Sequence, residues 1–416
     1  MFEISEEVRA LGEQALKESE PYFQKIEETA EFNQQKMLKA FIDNKVSESM
    51  FSGTTGYGYG DRGREVIDKV FAQAVGAEDA LVRHNFTCGT HTLAVALFGV
   101  LRPGDTMLCV TGTPYDTIHS VIGLSGENMG SLKDFGIKYK QVDLDENGRI
   151  DLENIEKAVN EETTMVYIQR SRGYSLRKSL SVEEIGNIVK TVKHKKKDVI
   201  VMVDNCYGEF VEKTEPVSVG ADIIAGSLIK NPGGGIAKTG GYIAGRSDLI
   251  EKCAYRLTTP GLGTELGATL GQTRNLFMGI FNAPNVVKEA LKTAVFASKL
   301  FALMGFSVTP TFDESRHDII QAIQLQNEEN LISFCRGLQK GTPIDSFLIP
   351  EPWDMPGYDS KVVMSAGSFI GGSTIELSAD APLREPFAVW LQGGTIFYSA
   401  KVGILLAAQE VMKKDE

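Results

Sequence analysis

The sequence predicts an α/β fold: a mostly parallel sheet covered by helices on both faces, with an N-terminal helical arm and a smaller α+β domain at the C-terminus. Three observations predict it. From Ala80 onward, short apolar runs alternate with stretches of helical periodicity, the pattern of repeated strand–helix units. Runs such as Val199 to Val203 are apolar at every position, as strands buried on both faces must be. At 416 residues the chain also exceeds the usual single-domain size. The boundaries expected are 1–50 for the arm, 51–300 for the large α/β domain and 301–416 for the small one.

In chain order, residues 6 to about 45 read as helices. Val8, Leu11, Ala15 and Leu16 fall at helical spacing, then Ile26, Phe32, Met37 and Phe41. This section holds no strand and is expected to pack over another part of an assembly. A stretch rich in glycine and tyrosine, Gly53 to Gly63, leads to a helix from about Arg64 to Val75. Strands are expected at Ala80–Val82, Thr106–Val110, Met165–Gln169, Val199–Val203, Ile223–Ala225 and Gly241–Ala244. Helices fill His91–Leu101 and Leu152–Val159. Ser181 with Glu184 forms a capping box that opens another helix, and the basic run Lys195–Lys197 suits its solvated end. A long helix over about Asn285 to Met304 precedes short strands at Ile319–Leu325 and Ile375–Ser378.

Composition narrows the function. A formal net charge of -12 argues against nucleic acid as the main partner. No apolar run nears membrane-spanning length, and the start, Met1-Phe2-Glu3-Ile4-Ser5-Glu6-Glu7, is too acidic for a signal peptide. Five cysteines without paired spacing suit reduced thiols in a cytoplasm, and no Cys/His spacing resembles a metal site. The expectation is a cytoplasmic protein with a small-molecule substrate, no membrane contact and no metal.

Two phosphate-loop look-alikes fail. The stretch ending at Lys238-Thr239 lacks the glycines of an NTPase loop, holding Ala237 and Pro232 in their places. Gly58-Tyr59-Gly60-Asp61-Arg62-Gly63 spells a dinucleotide fingerprint, but Met50 to Thr55 before it is not a buried strand.

Four groups lie where strands end, the edge at which α/β sheets gather ligands. Cys88-Gly89-Thr90 opens a helix whose free amides suit a phosphate, or are simply a cap. Tyr115 follows the strand ending at Val110 and offers a flat ring, or ordinary packing. Asp204 closes the strand Val199–Val203, where a carboxylate is costly to bury unless it meets a cation. Ser227 and Lys230 follow Ile223–Ala225. Partial desolvation there would lower the lysine pKa and free an amine to attack an aldehyde. Gly233-Gly234-Gly235 after it would let backbone pass close to a bulky ligand. A phosphate cradle, a ring platform, an acid for a ring nitrogen and an amine for an aldehyde together describe pyridoxal phosphate.

The chain resembles fold-type I pyridoxal-phosphate enzymes, and within them the cystathionine/methionine gamma-lyase group. It is most similar to the bacterial methionine gamma-lyase-like family, also labelled aluminium-resistance proteins. The resemblance rests on the stretch Tyr57 to Glu65, Cys88-Gly89-Thr90, Thr113-Pro114-Tyr115, Asp204 to Glu209 and Ser227-Leu228-Ile229-Lys230. It implies the PLP-dependent transferase fold type I and pyridoxal 5'-phosphate as cofactor. Lys230 would carry the cofactor, Asp204 would face the ring nitrogen, and Tyr115 would stack on the ring. Ser227, with Cys88, Gly89 and Thr90, would hold the phosphate. Tyr57, Tyr59 and Arg62 would reach the phosphate of a neighbouring subunit, in a dimer with shared active sites, itself expected to pair into a tetramer. Arg384 would clamp the substrate carboxylate, preferred over Arg316 and Arg336, which read as solvated; Arg172 is the second candidate. The activity implied is β- or γ-elimination from a sulfur-containing amino acid. Aminotransfer or replacement on the same cofactor, and a non-catalytic stress-related binding protein, stay open. One departure from the group stands out: Ile229 occupies the place of a phosphate-binding hydroxyl.

Overall fold

The computed structural model describes residues 2–355 and 360–413. Helix α1 (Glu6–Asp43) is a single rod, with Pro21 inside it. After it come α2 (Arg62–Val75), β1 (Asp79–Arg83), α3 (Gly89–Val100), β2 (Thr106–Cys109), α4 (Asp116–Ile122), β3 (Lys138–Gln141), α5 (Leu152–Ala158), β4 (Thr163–Gln169) and α6 (Val182–Lys195). Then follow β5 (Ile200–Asp204), β6 (Ile223–Ser227), β7 (Gly241–Gly245), α7 (Ser247–Leu257) and α8 (Thr273–Leu303). The last section holds β8 (Ser307–Thr309), β9 (Gln321–Gln324), α9 (Glu328–Lys340), β10 (Val362–Ser365), β11 (Ser378–Pro382), β12 (Ala388–Gln392) and α10 (Phe397–Met412).

Seven strands form the first sheet in the order β1-β7-β6-β5-β4-β2-β3. Only the pairings of β7, with β1 and β6, are antiparallel; the other four are parallel. This is the mostly parallel sheet that the apolar runs predict. Its strands alternate between two cores: Val201, Val203 and Ile224 face one, while Met202, Ile223 and Ala225 face the other, under α3 and α7. The second sheet, β10-β11-β12-β9-β8, is antiparallel throughout. One of its faces packs on α9 and α10 through Val363, Ala379, Ala381, Val389 and Leu391.

Several elements differ from expectation. The N-terminal helix runs along α8 of its own chain. Val8 and Ala15 enter the core of the second sheet, Met37 and Ala40 that of the first. Buried Asn33 anchors it by donating to the carbonyls of Phe210 and Glu212, at 3.1 and 2.9 Å. Helix α8 begins at Thr273 rather than near Asn285, continuing across Pro284. Strand β3 (Lys-Tyr-Lys-Gln) escaped sequence reading because, as an edge strand, it carries polar, partly exposed side chains. The strand expected at Ile375–Ser378 starts only at Ser378. The capping box at Ser181 and Glu184 is present as expected. Among the described residues, no helix is long and apolar enough to cross a membrane.

Candidate active site

Parallel strands deliver their carboxyl ends to one edge, and the register sets those ends side by side. Gln169 at the end of β4 is level with Asp204 at the end of β5, which is level with Ala225 two residues before Ser227. Alternation then puts Gln169, Asp204 and Ser227 on the face shared with Met165, Tyr167, Met202 and Ala225, beneath α3. The result is a cavity of about 390 Å³ whose lining includes Cys88, Gly89, Thr90, Tyr115, Asp204, Ser227 and Lys230. Seven residues scattered from 88 to 230 in sequence thus meet in one place.

Asp204 is 7% exposed. Its Oδ1 accepts from the Cys206 amide at 3.1 Å, and the Tyr167 hydroxyl donates to Oδ2 at 3.5 Å. Burial pushes the carboxyl above its usual range, against the pull of Lys230. Such a group is stabilised by a cation with an N–H to offer. The Lys230 Nζ sits 4.0 Å from the centre of the Tyr207 ring. The expectation of a depressed lysine pKa needs correction. Burial does oppose the ammonium, but Tyr207, Cys206, Asp204 and Glu209 outweigh it and hold the amine above its usual range.

The phosphate end passes a test of fit. The Ser227 Oγ is buried and has no hydrogen-bond partner among the described residues, an arrangement that normally marks a missing ligand. Gly89 lies close by: a Cβ there would stand 3.4 Å from the Ser227 Cβ and 3.8 Å from the Cys206 Sγ. The Cys88 Sγ caps α3 by accepting from the His91 amide at 3.3 Å. The first-turn amides of Gly89 and Thr90 have no acceptor within the helix, and a helix N-terminus favours an anion. Where Ile229 removes one hydroxyl, the structure supplies others: Thr90 and Thr117 share a hydroxyl–hydroxyl bond of 2.7 Å on the cavity wall. Tyr115 is half-buried beside them, its amide held by the Gln169 Oε1 at 2.6 Å.

The remaining expected site residues are not brought into this cavity. Tyr57 and Tyr59 are exposed, with ring centres 5.6 Å apart, and Arg62 is exposed beside them. Their loop is tied down elsewhere. Buried Arg64 donates to the carbonyls of Gly58 and Gly267 at 2.7 Å each, and Asp61 caps α2. Arg172 is buried, its guanidinium donating to the Thr309 carbonyl at 2.8 Å and lying 3.8 Å from Asp318. Arg384 is exposed and lines a neighbouring cavity that shares Tyr115, Gln169, Gly173 and Tyr174 with the first. Arg316 is not solvated as expected: it is half-buried and donates to Gln321. Among the described residues lining the first cavity, Lys230 is the one lysine or arginine.

The triple glycine also has a different role. A Cβ on Gly233 would collide with the Leu228 carbonyl, and one on Gly234 would stand 2.5 Å from the Gly279 carbonyl of α8. These glycines seat the lysine turn on the protein's own backbone rather than on a ligand, and none lines the cavity.

Sequence reading missed much of the cavity. Tyr207 lines it from the left-handed region, φ 68°, a conformation that is costly away from glycine and clusters at functional sites. Tyr174, Asp380, Trp390 and Gln392, the last three from the second sheet, also line it. Behind the lysine turn, buried Glu209 accepts from the Tyr242 hydroxyl at 2.8 Å, and burial raises its carboxyl to about 8.

Known proteins resemble this chain over nearly its whole length. A family model described as Methionine gamma-lyase matches residues 8–412. The chain is 47% identical over 390 residues to the protein YnbB of Bacillus subtilis (strain 168), covering 94% of this chain and 93% of that one. It is 53% identical to a carbon-sulfur lyase involved in aluminum resistance from Clostridium novyi NT. That crystal structure superposes with a TM-score of 0.94 over 97% of this chain and 96% of that one. The cystathionine gamma-lyase from yeast shares the fold at 16% identity, with a TM-score of 0.57 over 84% of this chain and 86% of that one.

Proposed function

Since the chain belongs to the methionine gamma-lyase family, with pyridoxal 5'-phosphate as its cofactor, we propose that this carbon–sulfur lyase eliminates a thiol from the β- or γ-carbon of a sulfur-containing amino acid. One observation carries the proposal. Lys230, Asp204, the Ser227 hydroxyl (without a partner among the described residues) and the N-terminus of α3 open into one cavity.

When bound, pyridoxal phosphate supplies an electron-accepting ring that stabilises the charge left when an amino acid loses its α-proton. The protein's own groups divide the remaining work. Ser227 and the first amides of α3 would hold the phosphate, and Tyr115 would pack against the flat ring. The Asp204 carboxylate would hold the proton on the ring nitrogen. Lys230 Nζ would take the α-proton of the substrate and give it to the departing group. The buried setting makes each of these charge interactions stronger than it would be in water.

Tyr57, Tyr59 and Arg62 belong in this reading to the site of a second copy, since they stand exposed and outside their own cavity. Mixing inactive Lys230→Ala and Arg62→Ala chains should restore part of the activity. A fully active monomer would remove that assignment.

The decisive experiment supplies the holoenzyme with S-substituted cysteines and homocysteines and measures thiol, keto acid and ammonia together. Equal amounts of all three, over many turnovers, are expected. Keto acid without thiol would replace elimination by amino transfer. Cofactor binding with no product from any of them would leave a binding protein.

A further inference from the structure

Behind the lysine turn lies a buried acid to which the elimination assigns no part. The Glu209 carboxyl packs against β6: a Cβ on Gly226 would stand 2.5 Å from its Oε1 and 2.9 Å from the Tyr242 hydroxyl. Gly226 shares a face of the strand with Ile224, while Ser227 shares the other with Ala225. The acid therefore lies on the side of the sheet away from the cavity, and it is not among the cavity's lining. It still holds both flanks of the turn. Gly226 precedes Ser227, and beyond Lys230 the Glu209 carbonyl accepts from the Asn231 Nδ2 at 3.0 Å. The Glu209 Oε1 accepts from the Tyr242 hydroxyl at 2.8 Å, and that hydroxyl is oriented by accepting from the Asn205 Nδ2 at 3.3 Å. Oε2 is buried and has no partner among the described residues. Of the charges facing Glu209, Glu215 is engaged by Arg170 at 3.3 Å and Asn205 at 3.0 Å, which leaves Lys230 as the cation that acts on it. Lys230 itself also faces Tyr207, Cys206 and Asp204, and Asp380 of β11.

We propose that Glu209 is a positioning residue for Lys230: it seats the turn that carries the lysine, and its carboxyl governs how readily that amine gives up its proton. This inference rests on the lyase reading, because it takes Lys230 to be the amine that moves the substrate proton. Burial raises the Glu209 carboxyl to about 8, so at neutral pH it keeps its proton and Lys230 has one negative neighbour fewer. The free amine is then easier to reach. At higher pH the ionised carboxyl, with one oxygen left without a donor, is stabilised by the ammonium and stabilises it in return. The coupling is reciprocal, as it must be between two titrating neighbours.

The test labels the full-length, cofactor-free chain with a trace of acetic anhydride and reads Lys230 by peptide mass spectrometry, which reports its free-amine fraction without turnover. Glu209→Gln keeps an acceptor for Tyr242 and the carbonyl that Asn231 uses, but cannot ionise. At pH 7, where both side chains are neutral, wild type and variant should label Lys230 at rates within about twofold. At pH 9.5 the variant should label about tenfold faster, the change that one pKa unit brings. Exposed Lys238 should label equally in the two proteins at both pH values. Tyr242→Phe removes a hydrogen bond that favours the ionised acid and keeps the ring. It should fall between the two at pH 9.5, and it decides the question if Glu209→Gln does not fold. Equal or slower labelling of Lys230 in the variant at pH 9.5 would overturn the proposal. A difference of the same size at pH 7 would overturn it too, since it would make Glu209 a structural residue whose charge is irrelevant. The lyase reading fails separately: the two labelling rates would then part with pH as expected while the wild-type holoprotein releases no thiol.

Discussion

The two walls of the cavity take their chemistry from different parts of their strands. In the first sheet Gln169, Asp204 and Ser227 stand at strand ends, with Tyr115 and Lys230 in the loops just beyond. Parallel pairing gathers such positions at one edge, so the wall is assembled by topology. In the second sheet, Asp380, Trp390 and Gln392 belong to the strands themselves. There the wall is assembled by the pleat, which turns alternate side chains to the cavity. In the proposed reading, the first wall holds the cofactor and the second meets the substrate. Strand ends and helix starts bring backbone amides and fixed charges, whereas a strand face can be re-lettered residue by residue without disturbing the fold.

The first wall should be the more fragile in function. Replacing Lys230 with Ala should cost roughly a thousandfold or more in thiol release, because both the cofactor's anchor and the group that moves the α-proton are lost. Lys238, exposed on the same loop, should tolerate the same change. Borohydride reduction and peptide mapping should place the label on Lys230. A label on Lys238 would dissolve the constellation on which this wall depends.

Asp204→Asn comes next. The amide is similar in size and can still accept from Cys206 and Tyr167, but cannot hold a proton on a ring nitrogen as a carboxylate does. Cofactor content should survive while kcat falls about a hundredfold, equivalent to about 3 kcal/mol. Exchange of the substrate α-proton with solvent should slow in parallel. Near-normal exchange would mean that another group faces the ring nitrogen.

This contrast also explains what the sequence revealed. The first sheet was legible because doubly buried strands are unbroken apolar runs, and because Asp204 and Lys230 interrupt them with charges that burial would otherwise forbid. Edge strand β3 was not, since solvent lets it be polar. The second wall was illegible for a different reason. Asp380 lies in Ser378-Ala379-Asp380-Ala381-Pro382, where an acidic residue between alanines resembles a solvated strand residue. Only the pairing with Trp390 shows that its side chain is buried. Tyr207 gives no local signal either, because its left-handed backbone is imposed by the turn after β5. The triple glycine carried a strong signal with two readings, and close approach of the protein's own chain gave it, not a ligand.

Behind the first wall, Glu209 offers a test in stability. Its carboxyl is raised to about 8 by burial from an ordinary value near 4.5. Between those values the unfolded chain is ionised and the native one is protonated, so unfolding releases a proton and stability falls as pH rises. Glu209→Gln removes that ionisation but keeps an acceptor for Tyr242. The variant should therefore lose the slope, matching wild type near pH 4.5 and exceeding it in Tm by several degrees at pH 8. A wild-type Tm that does not fall across this window, once other groups are controlled by the variant, would show that Glu209 is charged in the native protein.

The smallest effect is expected at Arg384, which tests whether the second wall needs a cation of its own. A carboxylate clamp works by presenting two parallel N–H groups from a fixed, desolvated guanidinium, so lysine should not replace it. The structure gives Arg384 neither condition: it is exposed, and it lines the neighbouring cavity rather than the one that holds Lys230. An exposed cation near the shared residues Tyr115 and Tyr174 acts mainly as a screened point charge. Arg384→Ala should then raise the amino-acid KM by no more than about threefold, with kcat and cofactor content unchanged, and added salt should shrink the difference. Arg384→Lys should restore most of it. If instead KM rises more than about tenfold in both variants and salt has no effect, the guanidinium fork reaches the substrate, and the second wall carries a cation that the present geometry places next door.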